Sequence, residues 1–260
     1  MFRKLCEKIK ELIKVAKNEI PTVDDILDKT WDQLKLKKLF VRNNFGKVLV
    51  IFDKKATEIF KDYERKALER LAKSWLNIQK KEVRKKFEKI LTQKGWDKFV
   101  EKATQVFVEF GILVQNLEKD LGNMRKARGG KTFEKVILRL LEFIDIKAQV
   151  PKGKSREELR RIDIVIPSIE VATKTPDRAI FLTCKRTLRE RWKQEVPQAR
   201  LNQRIYLLTI DNNLSESKAN EINQKGLIAF VRDEIVKNQS LQRMPWIRKL
   251  TELPKELKKI

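Results

Sequence analysis

Apolar positions in the first half of the chain recur at helical spacing. Phe2, Leu5, Ile9, Leu12, Ile13 and Ala16 make one face of an amphipathic helix, interrupted by Lys and Glu in a way that no signal peptide is. Tyr63, Ala67, Leu71, Trp75 and Ile78 repeat the pattern, as do Phe99, Ala103, Val106 and Phe110. The run GKVLVIFD, Gly46 to Asp53, suits either a strand or a buried helical turn. After the basic stretch Arg125–Lys131, with its two glycines, Phe133, Val136, Ile137, Leu140, Leu141 and Ile144 predict a further helix with Thr132 as its N-cap. The period then shortens. Arg161–Pro167, Ala179–Cys184, Arg204–Ile210 and Gly226–Val231 read as strands, separated by helical segments at Thr187–Glu195 and Glu216–Gln224. Residues 151–160 read as a charged connection. The expected architecture is an α/β core, a mixed sheet flanked by helices over residues 125–260, preceded by an α-helical region over 1–124. Trp31, Trp75, Trp96, Trp192 and Trp246 fall on apolar faces and read as packing residues.

Composition narrows what such a fold does. The 260 residues hold 60 Lys and Arg against 36 Asp and Glu, a formal charge of +24 that favours a polyanionic partner through counterion release. The chain has no His, which excludes His-based triads, two-His zinc hydrolysis and His-dependent nucleases; any catalysis must rest on Asp, Glu and Lys. Two unrelated cysteines, Cys6 and Cys184, form neither a disulfide framework nor a zinc site, as expected in a reducing cytoplasm. No apolar run approaches the length of a membrane span. The glycines of Gly129-Gly130-Lys131 lack the spacing and preceding strand of a phosphate-binding loop.

One pair of ionisable residues stands out against this background. Asp163 sits in the apolar stretch RIDIVIP, and Lys185 closes FLTCK. On a strand Thr183 and Lys185 project together while Cys184 faces away, so pairing of the two strands brings Asp163 and Lys185 to one end of the sheet. A carboxylate beside an ammonium group is the minimum apparatus for metal-assisted phosphodiester hydrolysis. Taken alone, such a pair is more simply a strand-end salt bridge. The residues that follow change the weighing: Lys185 leads into Arg189, Glu190, Arg191, Trp192, Lys193 and Gln194. That run, with RIDIVIP upstream, resembles the PD-(D/E)xK nucleases, and within them the restriction enzymes related to EcoRII, PspGI and NgoMIV. The likeness covers about Arg125 to Val231 and includes RKARGGKTFEKVILRLLEF, which resembles the helix that contributes an acid, here Glu134. Two departures stand in the chain: Thr183 occupies the place of the usual strand acid, and Gln198 that of the acid which the group supplies from the following helix. Glu195 and Gln198 both remain candidates for that role.

The resemblance implies a type II restriction endonuclease that cuts double-stranded DNA with Mg²⁺ at a G·C-containing palindrome of the CCGG, CCNGG or CCWGG type. It implies Asp163 and Glu134 as metal ligands and Lys185 as the residue that positions water. Arg189 and Arg191 suit bidentate contact to guanine and Glu190 suits acceptance from cytosine N4, against the plainer reading of a solvated charged helix. Lys193, Arg128 and Lys131 are candidates for phosphate contact. A palindromic site calls for a homodimer, and a host would need a matching methyltransferase. The alternatives are a repair or recombination nuclease of the same superfamily, and a basic nucleic-acid-binding protein without catalysis.

Overall fold

The computed structural model describes residues 2–189, 192–199 and 203–258, which fall into two compact units: residues 1–26 with 57–127, and residues 27–56 with 128–260. Helix α1 (Phe2–Lys17) belongs to the first unit and helix α2 (Val23–Leu34) begins in it. A long helical stretch, α4 (Phe45–Phe143), passes through both units, following the short α3 (Lys38–Asn43). At Gly95 its backbone leaves helical geometry (φ 76°, ψ 179°), a conformation that glycine adopts without a Cβ clash. The two arms beside Gly95 pack on each other in the first unit. Trp75 meets Phe110 with ring centroids 5.1 Å apart, and Arg125 Nε reaches Glu64 Oε1 at 2.7 Å. Ala67 and Leu71 from one arm and Leu113, Leu117 and Leu121 from the other are buried, and Lys17 on α1 pairs with Asp120 at 2.8 Å.

The second unit is built on a five-stranded sheet in the order β1 (Ile164–Ile166), β2 (Ile180–Cys184), β3 (Arg204–Leu208), β4 (Ile228–Val231), β5 (Ile247–Lys249). β1 runs antiparallel to β2, with Ile164 opposite Leu182; the other pairings are parallel. Short helices accompany the strands: α5 (Lys154–Glu158), α6 (Ile169–Lys174), α7 (Trp192–Glu195), α8 (Glu216–Gln224), α9 (Gln239–Gln242) and α10 (Leu253–Leu257). Val165, Phe181, Ile205, Leu207, Ala229 and Val231 form one apolar face of the sheet and cluster with Trp192, Val196, Ala219 and Ile222 from α7, the turn after it and α8. The opposite face presents Ile164, Ile166, Ile180, Leu182, Leu208 and Phe230, also buried. Burial on both faces is why these strands read as continuous apolar runs rather than alternating ones.

Several expectations from sequence need correction. Gly46–Asp53 is helical, the first turns of α4, with Phe45, Val48, Leu49 and Phe52 buried at helical spacing. Thr132 lies within α4 rather than capping a new helix; the two glycines cost about 1 kcal/mol each in a helix, and the apolar face from Phe133 to Ile144 outweighs that. Of Thr187–Glu195, Trp192–Glu195 is helical and 187–189 are not, because Leu188 has both backbone groups engaged elsewhere. Its N–H donates to Asp211 Oδ2 at 2.7 Å and its carbonyl accepts from Lys218 Nζ at 2.7 Å, an alternative to the helical ladder. Strand β5 escaped prediction, being three residues with no alternation to mark it. Trp96 is 66% exposed and stacks on Phe99 instead of entering the core.

Candidate active site

The end of the β1–β2 ladder carries the polar residues. Asp163 precedes β1, its N–H donates to the Leu182 carbonyl at 2.9 Å, and the register brings it alongside Thr183 and Cys184. The residue is 6% exposed, and its carboxylate accepts from the Cys184 N–H at 2.7 Å through Oδ2. Arg156, in the middle of α5, steadies this corner: Nη1 donates to the Ile162 carbonyl at 3.1 Å and Nη2 lies 3.8 Å from Asp163 Oδ1. Burial pushes the Asp163 carboxyl above the usual carboxylate range, against the opposing pull of the Cys184 N–H, Lys185 and Arg156. The Thr183 hydroxyl, wholly buried beside it, makes no hydrogen bond of proper geometry.

Lys185 leaves the end of β2 with its N–H held by the Leu208 carbonyl at 2.9 Å, and its Nζ forms an ion pair of 3.0 Å with Glu195 on α7. Glu134 comes from α4, one residue past the buried Phe133. Its pKa is raised to about 7, first by burial and then by the negative charge of Asp163, with Arg156, Lys185 and Lys131 pulling the other way. Asp163, Glu134 and Lys185, residues from a strand, a helix and a second strand, therefore share one electrostatic neighbourhood.

The remaining candidates are placed as follows. Glu195 is engaged with Lys185, while Gln198 turns away: its Nε2 donates to the Gln224 carbonyl at 3.0 Å, and it lines a cavity of about 490 Å³ with Arg160, Arg161 and Phe181. Arg189 is exposed, its carbonyl accepting from the Trp192 N–H at 2.9 Å. Glu190 and Arg191 lie outside the described residues, as does the side chain of Arg128. Lys193 pairs with Glu221 at 2.6 Å, and Lys131 is exposed near Glu134. Arg156, Asp53 and Asp211 also shape this corner and went unnoticed in the sequence: Asp53 and Asp211 act through partners 133 and 23 residues away, and Arg156 lies in a stretch that reads only as a charged connection.

These groups suit a divalent cation. The Asp163 charge raises the hold of Glu134 on its proton, a repulsion that a shared cation would relieve, and the buried Thr183 hydroxyl beside Asp163 makes no hydrogen bond of proper geometry. Among the described residues no set of three acidic, Cys or His groups gathers as a complete metal site. Two carboxylates with neutral oxygens match a cation of the Mg²⁺ kind, which keeps several waters and needs only one or two protein carboxylates.

One corner of a mixed sheet thus gathers an acid just before one strand, a lysine just after its antiparallel neighbour and an acid from a helix, the placement that the sequence resemblance implies. The profile of the EcoRII C-terminal family matches residues 84–252, more than half of the chain. The chain belongs to that family. It is 28% identical over 137 residues to the type II restriction enzyme SsoII of Shigella sonnei, a match covering 49% of this chain and 44% of that enzyme, less than half of its length. Among solved structures, metal-depleted Ecl18kI in complex with uncleaved DNA has a TM-score of 0.73 at 19% identity, covering 96% of this chain and 84% of that one. The complex of restriction endonuclease PspGI with substrate DNA has a TM-score of 0.63 at 18% identity, with 94% of each chain covered. No helix among the described residues is long and apolar enough to cross a membrane.

Proposed function

We propose that this protein is a type II restriction endonuclease that hydrolyses double-stranded DNA at a short G·C-containing palindrome and depends on Mg²⁺. The observation that carries the reading is the meeting of Asp163 and Lys185 at adjoining strand ends, with Glu134 near enough to feel the Asp163 charge. Its relatives SsoII and PspGI carry restriction-enzyme names, which supports the same chemistry here.

In this reading Asp163 and Glu134 hold the cation, which when bound polarises the scissile phosphate and acidifies a water. The Cys184 N–H fixes one Asp163 oxygen, leaving the other to face outward toward Arg156. Lys185 orients the attacking water, and Glu195 keeps the ammonium group from swinging into solvent. Water adds to phosphorus, the bond from phosphorus to the 3′ oxygen breaks, and the products are a 5′-phosphate and a 3′-hydroxyl. Arg189, with Glu190 and Arg191, reads G·C pairs in the major groove. Lys131, Arg128 and Lys193 contact phosphates, and the +24 charge draws DNA in. A two-fold symmetric site requires a homodimer, to which the helical region over 1–124 contributes contacts or a wrap around the duplex, and a methyltransferase of matching specificity protects the host.

Digestion of DNA of known sequence with Mg²⁺, followed by mapping of the ends, tests this. Discrete fragments ending at one repeated G·C-rich palindrome are expected. A smear or junction-only cutting points to a repair nuclease, and no cleavage with any divalent metal leaves a binding protein.

A further inference from the structure

The segment from Lys185 to Arg189 joins the residue that would orient water to the residue that would read bases. It is not regular structure, so its shape depends on what grips it. Most of the grip comes from the chain that follows. The Leu208 carbonyl takes the Lys185 N–H, Thr209 Oγ1 donates to the Arg186 carbonyl at 3.4 Å, and Asp211 and Lys218 hold the two backbone groups of Leu188. A further grip comes from elsewhere. Arg186 forks onto Asp53 in the first turns of α4, Nε to Oδ1 at 2.8 Å and Nη2 to Oδ2 at 2.7 Å. The Asp53 side chain is only 14% exposed, and its chain neighbour Phe52 is fully buried, so this is not a loose surface pair.

A two-point fork resists rotation where a single contact does not, because a planar guanidinium and a carboxylate lock into one relative orientation. Lys185 and Arg186 are adjacent in the chain, so a backbone held through one side chain also limits the directions open to the other. Lys185 reaches Glu195 on α7 while Arg186 reaches Asp53 on α4, so fixing Arg186 sets the direction in which Lys185 points.

We propose that the Asp53–Arg186 fork is a positioning element of the cleavage site, holding the Lys185–Arg189 segment so that Lys185 meets Asp163 and Arg189 meets the DNA in one register. This rests on the nuclease reading. Neither residue touches substrate; each acts through the segment. Because a misplacement of about 1 Å at a reacting group costs up to roughly 10²-fold, breaking the fork lowers kcat at least about tenfold.

Arg186→Ala and Asp53→Asn, made in the full chain, test the idea by single-turnover cleavage, DNA binding in Ca²⁺, and hydrogen exchange at the Lys185 and Leu188 amides. The expected result is a loss in kcat with little change in binding, faster exchange confined to that segment, and partial recovery of Arg186→Ala in low-millimolar guanidinium, which refills the gap. Unchanged kcat and unchanged exchange overturn the proposal. So does a loss that tracks a general rise in exchange across the sheet, since the fork is then only structural. If the wild-type protein cuts no DNA, the nuclease reading fails by itself, and the exchange measurement still decides whether the fork holds the segment.

Discussion

Glu134 offers a perturbation whose size follows from its surroundings. Burial and the Asp163 charge raise its pKa to about 7, so at pH 6 about nine in ten of these carboxyls carry a proton and at pH 8 about one in ten. A cation bound by Glu134 must displace that proton. Apparent affinity for Mg²⁺ or Ca²⁺ therefore rises about tenfold per pH unit up to roughly 7 and levels off above it. Calorimetric titration of the protein with Ca²⁺ between pH 5.5 and 8.5 reads this slope directly. Glu134→Gln removes the titrating group, flattening the curve and abolishing cleavage.

Without metal, the same proton governs stability. A carboxyl whose pKa is higher in the folded state than in the unfolded chain holds its proton more tightly when folded. Its contribution is present below the unfolded value of about 4.5 and is lost as pH rises through about 7. In EDTA, melting temperature thus falls for the wild type between pH 5 and 8 and falls less for Glu134→Gln. Metal affinity independent of pH over this window, or an unaltered slope in Glu134→Gln, refutes the reasoning.

Other outcomes follow from individual contacts. Lys185→Ala removes cleavage while leaving DNA binding in Ca²⁺ intact, measured by gel shift. Arg189→Ala relaxes discrimination at one G·C pair by about 1–3 kcal/mol, read from cleavage rates on singly substituted sites. Gly46→Ala costs about 1–3 kcal/mol in urea unfolding, less the small helical gain, because a Cβ there meets Leu250 Cβ at 2.8 Å and the Thr251 amide nitrogen at 3.1 Å. Gly226→Ala costs about 1–2 kcal/mol, since the residue has φ +68° and its Cβ would approach Ala199 Cβ to 3.0 Å.

What the sequence reveals and what it hides divide on physical lines. β1 to β4 and α8 were legible because buried strands and a capped amphipathic helix leave local signatures; Ser215, for example, caps α8 by accepting from the Lys218 N–H. The convergence of Asp163 and Lys185, 22 residues apart, was legible once the two apolar runs are taken as paired strands, whereas Glu134, 29 residues before Asp163, entered only through resemblance. The pairing of Lys185 with Glu195, while Gln198 faces Gln224, depends on how α7 ends before Pro197, which no periodicity encodes. Arg156, Asp53 and Asp211 were illegible for the same reason. Each looks like one more charged residue until the fold supplies its partner, and the unbroken passage of α4 through Gly129 and Gly130 shows tertiary packing overriding local propensity.

The claim on which the account turns is that one divalent ion sits between Asp163 and Glu134, within reach of Lys185. A crystal structure of the protein with duplex DNA and Ca²⁺ tests it most directly. The prediction is density for an ion bonded to both carboxylates at about 2.3–2.6 Å, with the scissile phosphate on its open side. An ion bound elsewhere, or carboxylates that remain apart with DNA in place, contradicts it.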